Sequence, residues 1–348
     1  MTTIGIIGAN GQVGTEVCLF LNNWEDVRII AVCRTKLGSA VLRAMGIECR
    51  HGSMKDVDVA KDILSDCDLV ADFSLPKGAA EDIKSVYRTN ITNTLENMPL
   101  QSKYVFISSL MAFGMKGSTE VFKNHWVPKT VYAATKRYGE NLSFQLGKKR
   151  NIDVFVLRLG EVHGLLQTCS KSWRTFFEND YPTIIVPNKE SYAVFSYTIA
   201  EALVNIAKGK EKPDIYSLGS NPDWSYEELF TYLAKKPVKV ELAAIDRKSI
   251  TWYPKLKNLV VTGLKNNKEL AQAYLFKFLP GYEQKIKLKH WTSQIHAKET
   301  LYNNAFKHLQ VIKGIAPGKR LSSISDSRVT MHDKVLLCEQ VIGNLVRK

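Results

Sequence analysis

Tyr132 and Lys136 stand four residues apart in the segment VPKTVYAATKRYGE. On a helix that spacing stacks both side chains on one face, about 6 Å apart along the axis. A phenol beside an ammonium can both give and take a proton. Its ordinary pKa near 10 must fall by about 3 units for work near neutrality, roughly 4 kcal/mol of preferential phenolate stabilisation. The pair alone arises often by chance, but Ser108 and Ser109 close the apolar run YVFISS upstream. At a strand end, such a hydroxyl can hydrogen-bond the substrate oxygen that Tyr132 protonates or deprotonates. Simple turn formation is the other use of a strand-end serine.

Gly8, Gly11 and Gly14 follow the first apolar run and open a helical pattern. Glycines there permit a tight turn and close approach of backbone to phosphate, and a helix N-terminus favours the negative charge of a pyrophosphate. The spacing is GxxGxxG rather than GxGxxG, yet its place after the first strand of a βαβ pattern favours a dinucleotide. Asn10, Gln12 and Val13 belong to the same loop, and Phe73, Ser74 and Leu75 close a later strand where such a ligand would lie. Twenty residues beyond Gly14 come Arg34 and Lys36, where an NAD site would carry a carboxylate; an arginine accommodates a 2′-phosphate. NADP is therefore the expected cofactor, with NAD the alternative, unless the two cations are merely exposed loop residues. A bound nicotinamide cation would add to the ammonium in favouring the phenolate.

These residues need a scaffold. Apolar runs at 3–7, 27–33, 69–73, 104–108 and 154–159 alternate with helical patterns at 12–22, 79–97 and 131–148. That alternation predicts an α/β fold, a doubly wound parallel sheet of Rossmann type that binds ligands outside the carboxyl ends of its strands. After about residue 165 the alternation loosens. A strand end and helix at 191–208, a short strand in DIYSLGS and a helix at 225–235 precede a mixed tail ending in an amphipathic stretch at 333–346. The expected division is a dinucleotide-binding domain over 1–165, rejoined by 191–220, and a smaller mixed C-terminal substrate domain over 166–190 and 221–348.

Composition excludes other classes. With 45% hydrophobic and 24% charged residues among 348, the chain has ordinary core-forming material, which argues against disorder or a disulfide scaffold. Six cysteines without CxxC spacing give zinc and redox motifs no support. No apolar run approaches ~18 residues, so no membrane partner and a reducing cytoplasmic setting are expected. The net charge of +14 is concentrated: residues 237–348 hold 20 Lys and Arg against 8 Asp and Glu. A field of that sign suits an anionic partner, with a solvated lysine-rich surface as the plain alternative. His290, His296 and His308 lack metal-box spacing, Trp252, Tyr253 and Trp291 read as ordinary packing, and Asp56 suits either an adenine contact or a helix start.

Together these motifs resemble the extended short-chain dehydrogenase/reductase family of nucleotide-sugar epimerases and dehydratases, over roughly residues 3–236. IGIIGANGQVG is similar to its cofactor loop, and TNITNTLEN, with Asn90 and Thr94, to its N-x-x-G-T helix segment, Asn93 replacing the glycine. FISSLMAFG resembles the strand of the catalytic serine, which the count back from Gly114 places at Ser109. PKTVYAATKRYGE resembles the catalytic helix, and LRLGEVHG, with Val162, the segment lining the nicotinamide. The resemblance implies Tyr132 as general acid/base, Lys136 lowering its pKa and binding the nicotinamide ribose, Ser109 polarising the substrate oxygen, and Asn90 supporting a proton relay. Ser108 is counted with the cofactor positions.

Departures narrow the expectation. Leu110 and Met111 stand where dehydratases carry an Asp-Glu pair, which disfavours dehydration and leaves Met111 as a substrate-side residue. Glu161 replaces an asparagine near the substrate phosphates, where a carboxylate would repel a diphosphate, and His163 replaces a tyrosine. The expected function is an NAD(P)-dependent oxidoreductase or epimerase acting at a carbinol or carbonyl carbon of a nucleotide-linked sugar. A ketone or polyol reductase is the near alternative, and a non-catalytic NADP-responsive protein with a partner-docking tail the distant one. Nucleic acid is not the favoured partner, and a homodimer would be in keeping with the resemblance.

Overall fold

The computed structural model describes residues 1–116, 126–128, 130–164, 166–178, 184–186, 189, 191, 193–219, 224–242 and 319–322. The chain runs β1 (Thr2–Ile7), α1 (Gln12–Leu21), β2 (Val27–Cys33), α2 (Ala40–Ala44), β3 (Glu48–His51), α3 (Val57–Leu64), β4 (Leu69–Asp72) and α4 (Ala80–Asn97). Then come β5 (Lys103–Ser109), a 3₁₀ turn (Leu110–Phe113), β6 (Met115–Lys116), β7 (Trp126–Val127), α5 (Val131–Arg150), β8 (Asp153–Leu159) and β9 (Glu161–His163). The remaining elements are α6 (Thr168–Phe177), β10 (Ile184–Val186), β11 (Ala193–Phe195), α7 (Ser196–Ala207), β12 (Ile215–Gly219), α8 (Tyr226–Ala234), β13 (Val240–Leu242) and β14 (Lys319–Ser322). The expected histidines and aromatics of the tail and its last amphipathic stretch lie outside the described residues.

Eight strands form one sheet in the order β14-β12-β8-β5-β4-β1-β2-β3, every neighbouring pair parallel. From β1 the chain winds outward through β2 and β3, then returns to place β4 on the other side of β1. That reversal opens a crevice at the carboxyl ends of β1 and β4, where a doubly wound sheet receives its ligand. The apolar runs lack strict alternation because both faces of the sheet are covered. In β5, Val105 and Ile107 join one buried cluster with α1 and α7. Tyr104 and Phe106 join the other, with α3, α4 and α5.

The described residues fall into two compact units. One comprises those within Met1–Ser172 and Tyr192–Trp224 together with β14; the second comprises those within Trp173–Ser191 and Ser225–Thr300. In the second unit, Trp173, Phe177, Tyr226 and Phe230 form a knot of rings, with Trp173 and Phe230 centroids 4.6 Å apart. Helix α8 starts as its sequence predicts: Ser225 accepts the Glu228 N–H while the Glu228 carboxylate accepts the Ser225 N–H, a closed capping box.

Candidate active site

Gly8 lies in the left-handed region at φ +76, and a Cβ there would stand 3.0 Å from the Ser74 nitrogen. The turn closes when the Gly11 N–H donates to the Gly8 carbonyl at 2.9 Å. A Cβ on Gly14 would lie 2.6 Å from that same carbonyl, so only glycine lets α1 start this close to β1. No side chain caps the helix, which leaves its first N–H groups to an anion. Gly14→Ala is therefore expected to lower stability by about 1–3 kcal/mol, seen in urea unfolding, and to weaken dinucleotide binding in a fluorescence titration.

The loop forms one wall of a cavity of about 630 Å³ at the switch point. Gly8, Asn10, Gly11, Arg34, Phe73, Ser74, Leu75 and Asn90 all line it, so eight positions singled out in the sequence meet in one place. Inside, Ser74 Oγ and Asn90 Oδ1 are buried with no hydrogen-bond partner, and such groups carry a penalty unless a ligand satisfies them. A dinucleotide, with ribose hydroxyls and a pyrophosphate, fits this cradle. Arg34 is exposed at the rim, whereas Lys36 is not among the lining residues; its carbonyl accepts from Ser39 Oγ and Arg43 Nη2, each at 3.0 Å. Gln12 donates to Thr168 Oγ1 at 2.5 Å, and Val13 and Val162 pack on the core. Asp56 proves to be the N-cap of α3. Asn93, which takes the place of a glycine, ties α4 to the preceding loop by donating to the Met54 and Lys55 carbonyls at 2.9 and 3.1 Å.

At the carboxyl edge of β5 the two serines part company. Ser108 shares the parity of Tyr104 and Phe106 and donates inward to Glu140 Oε1 at 2.5 Å. Ser109 faces the other way, accepts the Met111 N–H at 3.3 Å, and stands near enough to the Tyr132 phenol to lower its pKa. Thr130 Oγ1 accepts the Ala133 N–H and so starts α5 immediately before Tyr132. Gly139, whose Cβ would stand 2.4 Å from the Phe106 ring, lets the same helix lie against the sheet.

Lys136 shares the helix face with Tyr132, but its ammonium is buried and donates to the Ile107 carbonyl at 2.8 Å, 5.1 Å from the Phe106 ring centroid. Tyr132 is 37% exposed, and the partial loss of solvation pushes its phenol above its ordinary pKa, the Ser109 hydroxyl pulling it back, while Lys136 is not among the groups acting on it. The sequence-based expectation of a phenol lowered by that ammonium is thus not met by the chain's own groups. Lys136 itself is pushed down to about 8 by burial, against the pull of Asp72 and Glu140. Between that value and the ordinary 10.5 the unfolded chain binds more protons than the folded one, so stability rises with pH across this window. The rise is worth about 3 kcal/mol. Lys136→Met is expected to lack it, which unfolding curves at pH values on either side of the window will show.

The NAD dependent epimerase/dehydratase family profile matches residues 4–178, half of the chain. The chain belongs to that family. Over 246 residues it is 24% identical to the spore coat polysaccharide biosynthesis protein SpsK of Bacillus subtilis (strain 168), spanning 68% of this chain and 80% of that one. In fold it is similar to UDP-glucuronic acid 4-epimerase from Bacillus cereus in complex with NAD, 16% identical, with a TM-score of 0.53 over 70% of this chain and 87% of that one. It is also similar to dTDP-glucose 4,6-dehydratase from Bacillus anthracis in complex with NAD, 15% identical, with a TM-score of 0.52 over 74% and 90%. Among the described residues no helix is long and apolar enough to cross a membrane.

Behind this epimerase/dehydratase-family site lie residues that motif spacing does not single out. Asp72 at the end of β4, its carboxyl raised by burial, accepts from the Ser74 N–H at 2.8 Å and from the Tyr104 hydroxyl at 3.2 Å, fixing the loop that carries Ser74. Glu140 is clasped by Arg158 of β8 at 2.9 and 2.7 Å. Glu16 on α1, fully buried, accepts from the Leu166 N–H at 2.5 Å, from Gln167 at 2.8 Å and from Ser196, tying the segment after β9 to the first helix. On β9, Glu161 and His163 come together with Cys169 rather than standing as separate contacts.

Proposed function

We propose that this protein is an NADP-preferring epimerase or reductase acting at a carbinol or carbonyl carbon of a nucleotide-linked sugar. The observation that carries this reading is the closeness of the Ser109 hydroxyl to the Tyr132 phenol, near enough to lower its pKa, at the carboxyl edge of the sheet that also holds the glycine cradle. Gly8, Gly11, Ser74 and Asn90 would hold the dinucleotide, which when bound supplies a carbon able to accept and return hydride. Ser109 orients the substrate oxygen, and Tyr132 moves the proton at that oxygen. Lys136 holds the end of β5 through the Ile107 carbonyl, so Ser109 stays aligned with the phenol. Epimerisation suits the family and the polysaccharide-linked relative. Leu110 is buried and Met111 carries no titratable group, so the turn after Ser109 offers no acid and base for eliminating water. A homodimer and a cytoplasmic setting belong to the same proposal.

Cofactor choice rests on Arg34, exposed at the cavity rim where a 2′-phosphate would meet it. The Bacillus cereus relative is described with NAD, so the two cofactors must be compared directly. Arg34→Ala is expected to weaken NADPH by roughly 10–100-fold, the worth of a charge-assisted hydrogen bond, and to leave NADH nearly unchanged. Equal losses in a fluorescence titration would remove the NADP preference. Incubation with UDP- and dTDP-linked sugars, followed by product analysis, tests the chemistry. Turnover confined to free ketones or polyols would exclude the nucleotide-sugar assignment.

A further inference from the structure

A carboxylate, an imidazole and a thiol converge within nine residues of chain. One ligating atom from each of Glu161, His163 and Cys169 lies within 4.8 Å of the others. Cys169 Sγ stands 4.0 Å from His163 Nδ1 and donates to the Val162 carbonyl at 2.7 Å. The imidazole is buried at 1% exposure, and its Nδ1 is 3.0 Å from the Ser170 hydroxyl, which also accepts the Gly164 N–H at 3.1 Å. The Ser170 hydroxyl therefore occupies the same nitrogen that faces Cys169, and a cation bound there takes its place. We infer that Glu161, His163 and Cys169 form a three-ligand site for one zinc-like divalent cation, with its fourth position open to water or substrate.

The donor set and spacing suit that cation. Sulfur, nitrogen and oxygen ligands together select a borderline ion such as Zn²⁺ over Mg²⁺ or Ca²⁺, which prefer oxygen alone. Tetrahedral bonds of about 2.3 Å to sulfur and about 2.0 Å to nitrogen put those two atoms roughly 3.6 Å apart, close to the separation already present. Binding replaces the Cys169 S–H bond with a sulfur–metal bond and releases the proton to solvent, without electron transfer. Thiolate and carboxylate then balance the two positive charges, and the cluster becomes neutral. That removes the negative charge with which the Glu161 carboxylate would oppose a phosphorylated ligand. β9 begins two residues beyond Leu159, the partner of Ser109 across the sheet, so the cation would sit on the catalytic edge.

The full chain, stripped with chelator and titrated with Zn²⁺ against a chromophoric competitor, is expected to bind one equivalent. Co²⁺ in its place is expected to give an intense thiolate-to-metal absorption band. Cys169→Ser should abolish that band while Cys49→Ser and Cys338→Ser keep it, and Glu161→Gln should weaken Zn²⁺. Circular dichroism on each variant separates ligand loss from unfolding. Failure to bind a stoichiometric equivalent, or a cobalt band that survives Cys169→Ser in a folded protein, overturns the site. None of these readouts depends on turnover, so the site and the proposed reaction stand or fall separately.

Discussion

Replacing Arg158 by methionine is expected to destabilise the protein by about 3–5 kcal/mol, the penalty for leaving a buried charge without its partner. Arg158 and Glu140 are each 1% exposed, and the guanidinium meets both carboxylate oxygens. Water cannot take over when the cation goes, and only the Ser108 hydrogen bond and the more distant charges of Lys136 and Arg137 remain to stabilise the carboxylate. The pair joins β8 to α5, the helix that carries Tyr132 and Lys136, so the same change should disturb the alignment of the site. The double change Arg158→Met with Glu140→Leu removes both charges and should recover most of the loss, because an apolar pair of similar volume needs no compensation. Urea unfolding of the two single variants and the double one measures the coupling. Additive losses would mean that the two residues act independently.

That ion pair also marks the limit of what was legible in the sequence. The parallel sheet could be read because β1, β2, β4, β5 and β8 are short runs rich in apolar and β-branched residues with amphipathic helices between them. The glycine loop could be read because backbone geometry forces the residue type. β3 carries no such signal: its four residues are Glu-Cys-Arg-His, a half-exposed edge strand held by neighbours. An arginine in the middle of FVLRLG was a signal that could have been followed, since a charge in a central buried strand requires a counter-charge. Glu140 falls four residues after Lys136 on the same helix face and was the natural candidate. Which adjacent serine reaches the site depends on strand parity against the two packed faces, and only the tertiary structure fixes that. The meeting of His163 with Cys169 was illegible because it depends on how the chain folds back from β9 to α6.

The same limit bears on the acid/base residue, where spacing brought Tyr132 and Lys136 to one helix face but not into electrostatic partnership. Tyr132→Phe is expected to lower turnover by about 10²–10⁴-fold, the worth of one positioned proton donor, with dinucleotide affinity nearly unchanged. Because the partial loss of solvation holds the phenol above its ordinary value, it is protonated at neutral pH and poised to give a proton to a substrate carbonyl. In that direction kcat/KM, which reports the free enzyme, should be insensitive to this group across neutrality. In the reverse direction the phenol must first lose its proton, so kcat/KM for carbinol oxidation should climb with pH beyond the ordinary range of catalytic histidines. Ser109→Ala removes the neighbouring hydroxyl that lowers the phenol and should move the climb further to alkaline pH, whereas a purely structural serine would lower the rate without moving the profile. A plateau at neutrality in the oxidation direction would transfer the work of stabilising the phenolate from Ser109 to groups that join the site on binding.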